Sequence, residues 1–227
     1  MAAHNLVERL AAVRETIDGS LARAGRRHSV TIVAVTKTHP PDAVREALAA
    51  GLGDVGENRV QEAIEKQDAL AGLPVRWHLI GTLQRSKARL ITGRFALIHS
   101  LDRADLAGDI ARRVPPGSRQ RVLLQVNCSA EPQKGGVEPD LLPRLIDEVL
   151  ALPALELCGL MTMAAFDASE PDLRRTFGLL RRLRDEGEQR GAALPELSMG
   201  MSGDYPIAVE EGATLVRLGT ILFGERT

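Results

Sequence analysis

The chain has 227 residues, a formal net charge of −1 at pH 7 and a sequence pI near 6.5. That length suits one large domain or two small ones, and so balanced a charge excludes the basic surface of a protein that binds nucleic acid or an anionic membrane. Aromatic residues make up 3% of the chain, so the core must be built from Leu, Val, Ile and Ala, which favours a parallel α/β interior over a β-sandwich.

Short apolar runs alternate with longer amphipathic stretches along the chain. A first helix is predicted over residues 3–24, because Leu6, Leu10 and Val13 recur at three- and four-residue spacing. Eight strands are predicted after it, at residues 30–37, 54–58, 76–81, 95–100, 121–128, 155–163, 196–200 and 215–219. Helices are predicted between and after them, at residues 41–50, 60–70, 86–92, 103–113, 139–150, 170–190 and 206–211.

Eight strands, each separated from the next by a helix, fit a (β/α)8 TIM barrel preceded by an extra N-terminal helix. Barrels of this kind typically have about 250 residues. A doubly wound open sheet is the alternative, but it usually has fewer strands and prefers a glycine-rich first turn. The segment after the first predicted strand reads Thr38-His39-Pro40-Pro41 and has no glycine. No linker or low-complexity tract interrupts the pattern, so residues 1–227 are predicted to form a single domain.

Lys37 ends the first predicted strand. The chain has 29 basic residues, of which only Lys37, Lys66, Lys87 and Lys134 are Lys. An amine can lose its proton and form a Schiff base, whereas a guanidinium cannot. A Lys that simply extends from a strand end into solvent is the alternative interpretation. Because barrel enzymes place their active residues at the carboxyl ends of strands, a functional amine at Lys37 is the sharper hypothesis.

Small residues and hydroxyls follow the seventh and eighth predicted strands, where TIM barrels commonly bind phosphate. Ser202 and Gly203 follow the seventh, and Gly219 and Thr220 follow the eighth. Their hydroxyls and backbone N–H groups would hold a dianion. A closed barrel brings strand eight beside strand one, and therefore beside Lys37. Pyridoxal 5′-phosphate (PLP) needs both an amine and a phosphate site; a sugar-phosphate aldolase is the competing hypothesis and would need further acid–base groups near the lysine.

Seven motifs follow one another along the chain in the order found in one known family. They are Ala34-Val35-Thr36-Lys37, Gly56-Glu57-Asn58-Arg59-Val60-Gln61-Glu62, Trp77-His78-Leu79-Ile80-Gly81-Thr82-Leu83-Gln84, Lys134-Gly135-Gly136, Gly159-Leu160-Met161, Leu197-Ser198-Met199-Gly200-Met201-Ser202 and Arg217-Leu218-Gly219-Thr220 through Phe223-Gly224. On these motifs the chain resembles the pyridoxal phosphate homeostasis protein family, from about residue 30 to residue 226. It departs from the usual pattern at Thr36, at Arg59 where Tyr is commoner, and at Gly135.

The resemblance implies a barrel of the alanine racemase N-terminal type, with PLP held as a Schiff base on Lys37. Arg217 would face the pyridine nitrogen, keeping it unprotonated and weakening the ring as an electron sink, or would lie beside the phosphate. Further cofactor contacts are implied for Asn58, Ser202, Gly203, Gly219 and Thr220 and, in second rank, for His78 and Met199. From the residues alone, His78 in its apolar strand is more typical of a hydrogen-bonded core or rim histidine.

The sequence indicates only one of the two bases of a racemase, since a racemase needs one base on each face of the substrate α-carbon. Alanine racemases take the second base, a Tyr, from an additional C-terminal domain of the partner subunit. Here the sequence ends at Thr227, and its only Tyr, Tyr205, follows the seventh strand. We therefore predict a PLP buffer or carrier in intracellular vitamin B6 homeostasis, without catalytic residues or a metal. The alternative is a small single-domain PLP-dependent amino-acid racemase.

The predicted partners are PLP and the PLP-dependent apoenzymes that would receive it, with no nucleic acid or membrane involved. Cys128 and Cys158 lie in separate apolar runs and are predicted to be buried free thiols, which is typical of a reducing compartment. No apolar stretch has the length of a membrane span, and the N-terminus does not resemble a secretory signal. The sequence therefore predicts a cytoplasmic protein, and a monomer because no long exposed apolar stripe is evident.

Overall fold

The structure is a computed structural model that describes residues 2–129, 131 and 134–224. Its first element is helix α1 (Ala2–Arg23), on which Leu6, Leu10, Val13 and Ile17 form one buried stripe. Eight strands follow: β1 (Thr31–Val35), β2 (Asp54–Glu57), β3 (Arg76–Leu79), β4 (Leu97–Leu101), β5 (Gln120–Gln125), β6 (Leu155–Met161), β7 (Glu196–Ser198) and β8 (Leu215–Leu218). The remaining helices are α2 (Pro41–Ala49), α3 (Val60–Ala69), α4 (Ala104–Ala111), α5 (Leu142–Leu150), α6 (Glu170–Gln189), α7 (Tyr205–Glu210) and α8 (Thr220–Phe223).

The eight strands form a closed parallel barrel in chain order. Closure comes from β8, which pairs with β1 over the register Thr31↔Leu215 to Ala34↔Leu218. The predicted (β/α)8 TIM barrel with an extra N-terminal helix is therefore confirmed. Parallel pairing with helices outside also explains why the strands are buried on both faces, as in β4, where every residue is buried.

Side chains fill the inside of the barrel. Val33, Leu97, Leu123, Cys158, Met161 and Leu215 form one buried cluster there, with Met163 packed against it. A larger cluster joins the outer faces of the strands to the helices. The barrel is thus a packed core and not a pore, so a ligand site must lie at one of its ends.

Some elements differ from their predicted form. The predicted helix at residues 86–92 is a 3-10 helix, Arg85–Leu90. The predicted helix at residues 139–150 is divided into a 3-10 turn, Pro139–Leu141, and α5, because Pro143 has no N–H to continue one helix. Helix α8 was not predicted, since four residues are too few to show a helical period.

Helix α1 is hydrogen-bonded to α7 and α8, the two short helices that follow β7 and β8. The Arg9 guanidinium donates to the carbonyl of Leu222 in α8 at 3.2 Å. The Arg23 guanidinium donates to the Glu210 carboxylate in α7 at 2.8 Å. In the described part of the chain, no helix combines the length and the hydropathy needed to cross a membrane.

Both cysteines are buried and unpaired, which confirms that prediction. Burial raises the pKa of Cys128 to about 12 and also raises the pKa of Cys158. Because the thiolate is the reactive form, we expect neither thiol of the native protein to be alkylated by iodoacetamide at pH 8, and both to react in urea. Intact-mass spectrometry would count the adducts, and a native protein carrying one adduct would contradict the expectation.

Candidate functional site

A cavity of about 600 Å³ opens at the carboxyl ends of the strands. Its lining includes all seven first-rank residues of the sequence prediction: Lys37, Asn58, Ser202, Gly203, Arg217, Gly219 and Thr220. His78 and Met199 are not among the lining residues; both are buried inside the protein. Further lining residues come from the loops after β3 and β6 and from the end of β5, among them Gly81, Thr82, Gln125 and Phe166.

Lys37 lies two residues beyond the end of β1, between Thr36 and Thr38. The backbone of both threonines is hydrogen-bonded to side chains of α3. The Lys66 ammonium donates to the carbonyl of Thr36 at 2.7 Å. On the other side, the backbone N–H of Thr38 donates to the Glu62 carboxylate at 2.5 Å. Thr38 has a φ of 65°, an uncommon conformation for a β-branched residue, which this bond helps to hold. The backbone that carries Lys37 is therefore fixed on both sides.

The groups behind Lys37 form an ionic cluster of Glu57, Glu62 and Lys66. The three ammonium protons of Lys66 are all used, because Nζ lies 2.7 Å from Glu57 Oε1 and 2.9 Å from Glu62 Oε1 besides its bond to Thr36. Glu57 also accepts a bond of 2.6 Å from the Thr36 hydroxyl. Burial raises the pKa of Glu57, although the bonds from Lys66 and Thr36 oppose that effect. Lys66 thus supplies the positive charge that compensates the fully buried carboxylate of Glu57.

Asn58 follows β2, and its position depends on a glycine in the neighbouring loop. A Cβ atom at Gly81 would lie 2.2 Å from the backbone oxygen of Asn58, which no side chain tolerates. Glu57, one residue earlier, is outside the cavity lining, as the alternation of side chains along a strand predicts. Gly81 thus allows the loops after β2 and β3 to meet at the cavity wall.

The loops after β7 and β8 are joined to each other at the cavity. The Ser202 hydroxyl accepts a hydrogen bond from the backbone N–H of Ile221, in the first turn of α8, at 3.3 Å. In the β7 loop, the N–H of Met201 donates to the Asp204 carboxylate at 2.5 Å. Gly200, at φ 93°, lets this loop pass close to Ala208 in α7. Hydroxyls and N–H groups from two loops therefore border one end of the cavity, an arrangement suited to an anion.

Arg217 is the buried cation of the cavity. One guanidinium nitrogen donates to the Ser198 hydroxyl at 2.7 Å and another to the carbonyl of Thr162 at 2.9 Å. Burial lowers its pKa to about 10, while the charge of Asp204 opposes this effect. The guanidinium thus remains charged at neutral pH, and two of its N–H groups are held by the barrel.

His78 belongs to a buried chain of hydrogen-bonded side chains inside the barrel, here called the polar line. Its members in order are Arg217, Ser198, His99, His78 and Asp54. Its Nε2 lies 3.0 Å from Asp54 Oδ1, and its Nδ1 lies 2.9 Å from Nε2 of His99. His99 Nδ1 in turn lies 2.8 Å from the Ser198 hydroxyl. Burial lowers the pKa of His99 well below its usual value, and the neighbouring His78 and Arg217 add to this effect. His78 is therefore hydrogen-bonded on both ring nitrogens, as expected of a core histidine.

Asp54 is the acidic end of this line, and its contribution to the stability of the fold should depend on pH. Burial alone would raise its pKa, but hydrogen bonds from His78 and Arg76 outweigh burial and hold the pKa at about 2, below the ordinary 3.8. A lowered carboxyl pKa stabilises the fold above pH 4, and this contribution disappears as the pH falls towards 2. We expect Asp54→Asn to cost about 2 kcal/mol at pH 7 and progressively less below pH 4.

Urea unfolding of both proteins at pH 7, 4 and 3 would measure this difference. Asp68→Asn is a suitable control, because Asp68 is paired with Arg94 at 3.0 Å but is exposed on the surface. A cost of Asp54→Asn that stays constant from pH 7 to pH 3 would contradict the assignment.

The sequence did not indicate two of the lining residues, Asp204 and Gln125, or a contact of Lys134 nearby. Asp204 lines it, and burial raises the pKa of this carboxyl despite the bond from Met201. Gln125 ends β5, so the rule that strand ends carry the site could have identified it. Lys134, in the loop after β5, does not line the cavity but donates to the carbonyl of Ala164 and so joins the β5 loop to the β6 loop.

Comparison with known proteins assigns the chain to a family. Residues 9–227 match the profile of the family described as alanine racemase, N-terminal domain. A pyridoxal phosphate homeostasis protein of Aquifex aeolicus is 46% identical over 225 residues, covering 98% of this chain and 99% of the relative. The protein of that name from Pseudomonas aeruginosa is 44% identical over 223 residues, covering 97% and 96% respectively.

Solved structures agree with this assignment. PipY of Synechococcus elongatus, determined with PLP bound, has a TM-score of 0.85 and 39% identity, covering 96% of this chain and all of PipY (100%). An alanine racemase of Clostridium difficile has a TM-score of 0.78 at 16% identity, and the match covers 98% of this chain but 57% of the racemase. The second likeness concerns the fold alone. On its sequence and its barrel, the chain belongs to the pyridoxal phosphate homeostasis protein family.

Proposed function

We propose that this chain binds PLP in the cavity at the carboxyl ends of the strands and holds it as a Schiff base on Lys37. The observation that carries the proposal is the joint presence of one lysine, one buried arginine and the two hydroxyl-bearing loops in a single cavity. Its volume of about 600 Å³ lies in the usual range for small-ligand sites. PLP bound to PipY, a relative at 39% identity, supports the same ligand here.

The residues present fit the chemical parts of PLP. PLP supplies an aldehyde that condenses with amines and a ring that withdraws electrons when its nitrogen is protonated. Lys37 would take the aldehyde, while Ser202, Thr220 and the backbone at Gly203 and Gly219 would take the phosphate. Asn58 would border the ring. Arg217 would face the ring nitrogen and, since it only donates hydrogen bonds, would keep that nitrogen unprotonated.

This arrangement favours holding PLP over turning over a substrate. Tyr205 is buried and does not line the cavity, so it offers no second base there. The carboxyl groups in the lining are those of Asp167 and Asp204, and a racemase would have to use one of them opposite Lys37. We therefore propose a buffer or carrier of PLP, with an amino-acid racemase as the second candidate.

The role we propose is intracellular PLP homeostasis in the cytoplasm, with the protein acting as a monomer that supplies PLP-dependent apoenzymes. The name shared by its relatives supports the homeostatic role. The two buried free thiols support a reducing compartment.

One pair of measurements tests the proposal. Purified protein incubated with PLP should gain a visible absorbance, and borohydride should then fix the cofactor on the peptide that contains Lys37. The same protein in deuterated water should exchange the α-proton of the common amino acids no faster than free PLP does. Absence of a fixed adduct would refute the PLP proposal, and exchange at a catalytic rate would favour the racemase.

A further inference from the structure

The polar line inside the barrel reaches from the cofactor cavity to the opposite end of the strands. It starts at Arg217, which lines the cavity, and passes through Ser198, His99 and His78. It ends at Asp54, the first residue of β2, where a separate cavity of about 410 Å³ is lined by Asp54 and Arg76. The barrel therefore holds one continuous hydrogen-bonded connection between its two ends.

When both histidine rings are neutral, the two ends of this line fix the direction of every hydrogen bond in it. A guanidinium only donates and a carboxylate only accepts. Ser198 therefore accepts from Arg217 and gives its own proton to His99 Nδ1. With neutral rings, His99 then donates from Nε2 to His78 Nδ1, and His78 donates from Nε2 to Asp54. Each ring nitrogen makes one hydrogen bond, and the hydroxyl accepts one and donates one.

The alternative arrangement is poorer on two counts. If the histidine pair carried an extra proton, His99 would donate to Ser198 from Nδ1, whichever way the hydrogen bond between the two rings ran. The Ser198 hydroxyl would then receive two hydrogen bonds, and its own proton would have no acceptor among these partners. The extra charge would also lie in the same buried line as the guanidinium of Arg217, which is unfavourable in the protein interior.

Burial makes each link of the line necessary to the next. His99 and Ser198 have exposed fractions of 0%, and His78 and Arg217 have 4% each. Water cannot readily replace a missing partner at such positions, so the loss of one link leaves its neighbours unpaired. A guanidinium that loses the Ser198 hydroxyl would keep only the Thr162 carbonyl from its two barrel partners and would be free to turn.

We propose that Asp54, His78, His99 and Ser198 are positioning residues that lock the Arg217 guanidinium at the cofactor cavity through this one-directional line. The inference rests on the proposed function, in which Arg217 faces the bound ring. It adds that the electrostatic environment of the ring is set partly by Asp54, at the far end of the barrel. None of the four needs to touch the cofactor to have this effect.

A matched pair of variants at His99 tests the line. Gln can accept the Ser198 proton with its side-chain oxygen and donate to His78 with its NH2 group, whereas Leu can do neither. We expect His99→Leu to release bound PLP about tenfold faster than the wild type, the scale of one lost hydrogen bond to a charged group. His99→Gln should remain within about twofold. Release would be followed by ultrafiltration after dilution, and the visible absorbance would be titrated against pH.

Measurements in a second background, Arg217→Gln, distinguish a positioning role of His99 from general damage to the core. If His99 acts through Arg217, the accelerated release in His99→Leu should be absent when both proteins also carry Arg217→Gln. The pH at which the visible absorbance changes should likewise differ between His99→Leu and wild type only in the Arg217 background. Equal release from His99→Leu and wild type, or an equal acceleration in both backgrounds, would overturn the inference.

The design remains informative if His99→Leu does not fold. Ser198→Ala and Ser198→Thr provide a second pair of small substitutions, of which only Thr keeps the hydroxyl, and the same contrast is expected. Wild-type protein that forms no borohydride-fixed adduct would refute the proposed function itself. Wild-type protein that forms the adduct, with both variant pairs showing no contrast, would refute only the positioning role.

Discussion

Lys37→Ala is expected to reduce the borohydride-fixed PLP adduct to background. Lys37 alone among the four lysines of the chain lines the cavity with Arg217 and the two hydroxyl-bearing loops, so removal of its amine leaves the site without a partner for the aldehyde. PLP should then be held by noncovalent contacts only and should be lost on dialysis. Intact-mass spectrometry after reduction would measure the adduct, and peptide mapping would locate it.

Two further variants make this experiment specific. Lys37→Arg keeps the positive charge but cannot form a Schiff base, so it should fail as completely as Lys37→Ala. Lys87→Ala removes a lysine that lines a different cavity, beside the 3-10 helix, and should retain the full adduct. An adduct that persists in Lys37→Arg, or that maps to another lysine, would exclude the assignment of Lys37.

Lys66→Met is expected to lower the free energy of unfolding by about 3 kcal/mol or more at pH 7, since it leaves Glu57 buried without its counter-charge. Lys66 is 5% exposed and Glu57 is fully buried. Without Lys66, the pKa of Glu57 would rise further above its ordinary 4.5. A carboxyl whose pKa is raised by folding destabilises the protein increasingly as the pH rises. The deficit should therefore be larger at pH 8 than at pH 5.

Urea unfolding at these two pH values would measure the deficit. The double variant Lys66→Met with Glu57→Gln should recover part of the loss, because it removes the unpaired charge. Lys87→Met is the matched control on a partly exposed lysine and should change stability by less than about 0.5 kcal/mol. A Lys66→Met deficit that matches the Lys87→Met control, or that grows as the pH falls, would show that the cluster is not ionic in the way described.

The barrel and the cavity residues could be predicted because their signals are local or topological. Eight apolar runs separated by helical stretches define the strand count, and barrel geometry then places Lys37 beside the loops at Ser202 and Thr220. Each of these residues lies within four residues of the end of a strand. The lining of the cavity agrees with that expectation. That these residues contact PLP remains a prediction.

The ionic cluster and the polar line beside the cavity could not be predicted, because they depend on contacts between distant parts of the chain. Lys66 lies on a polar helix, and nothing in its neighbourhood indicates that it reaches the carbonyl of Thr36, 30 residues earlier. The bond between His99 and Ser198 joins residues 99 positions apart. A single sequence identifies which residues can form such bonds but not which of them meet.

The attachment of α1 to α7 and α8 has a consequence for the energetics of the whole barrel. The end of the cavity proposed to hold the phosphate is stabilised from outside by Arg9 and Arg23, both in α1. By thermodynamic linkage, a ligand that stabilises α7 and α8 also stabilises α1, which is hydrogen-bonded to both. Occupancy of the cavity should therefore slow amide hydrogen exchange in α1, on the outer surface of the molecule, and shortening α1 should make the cavity lose its ligand more readily.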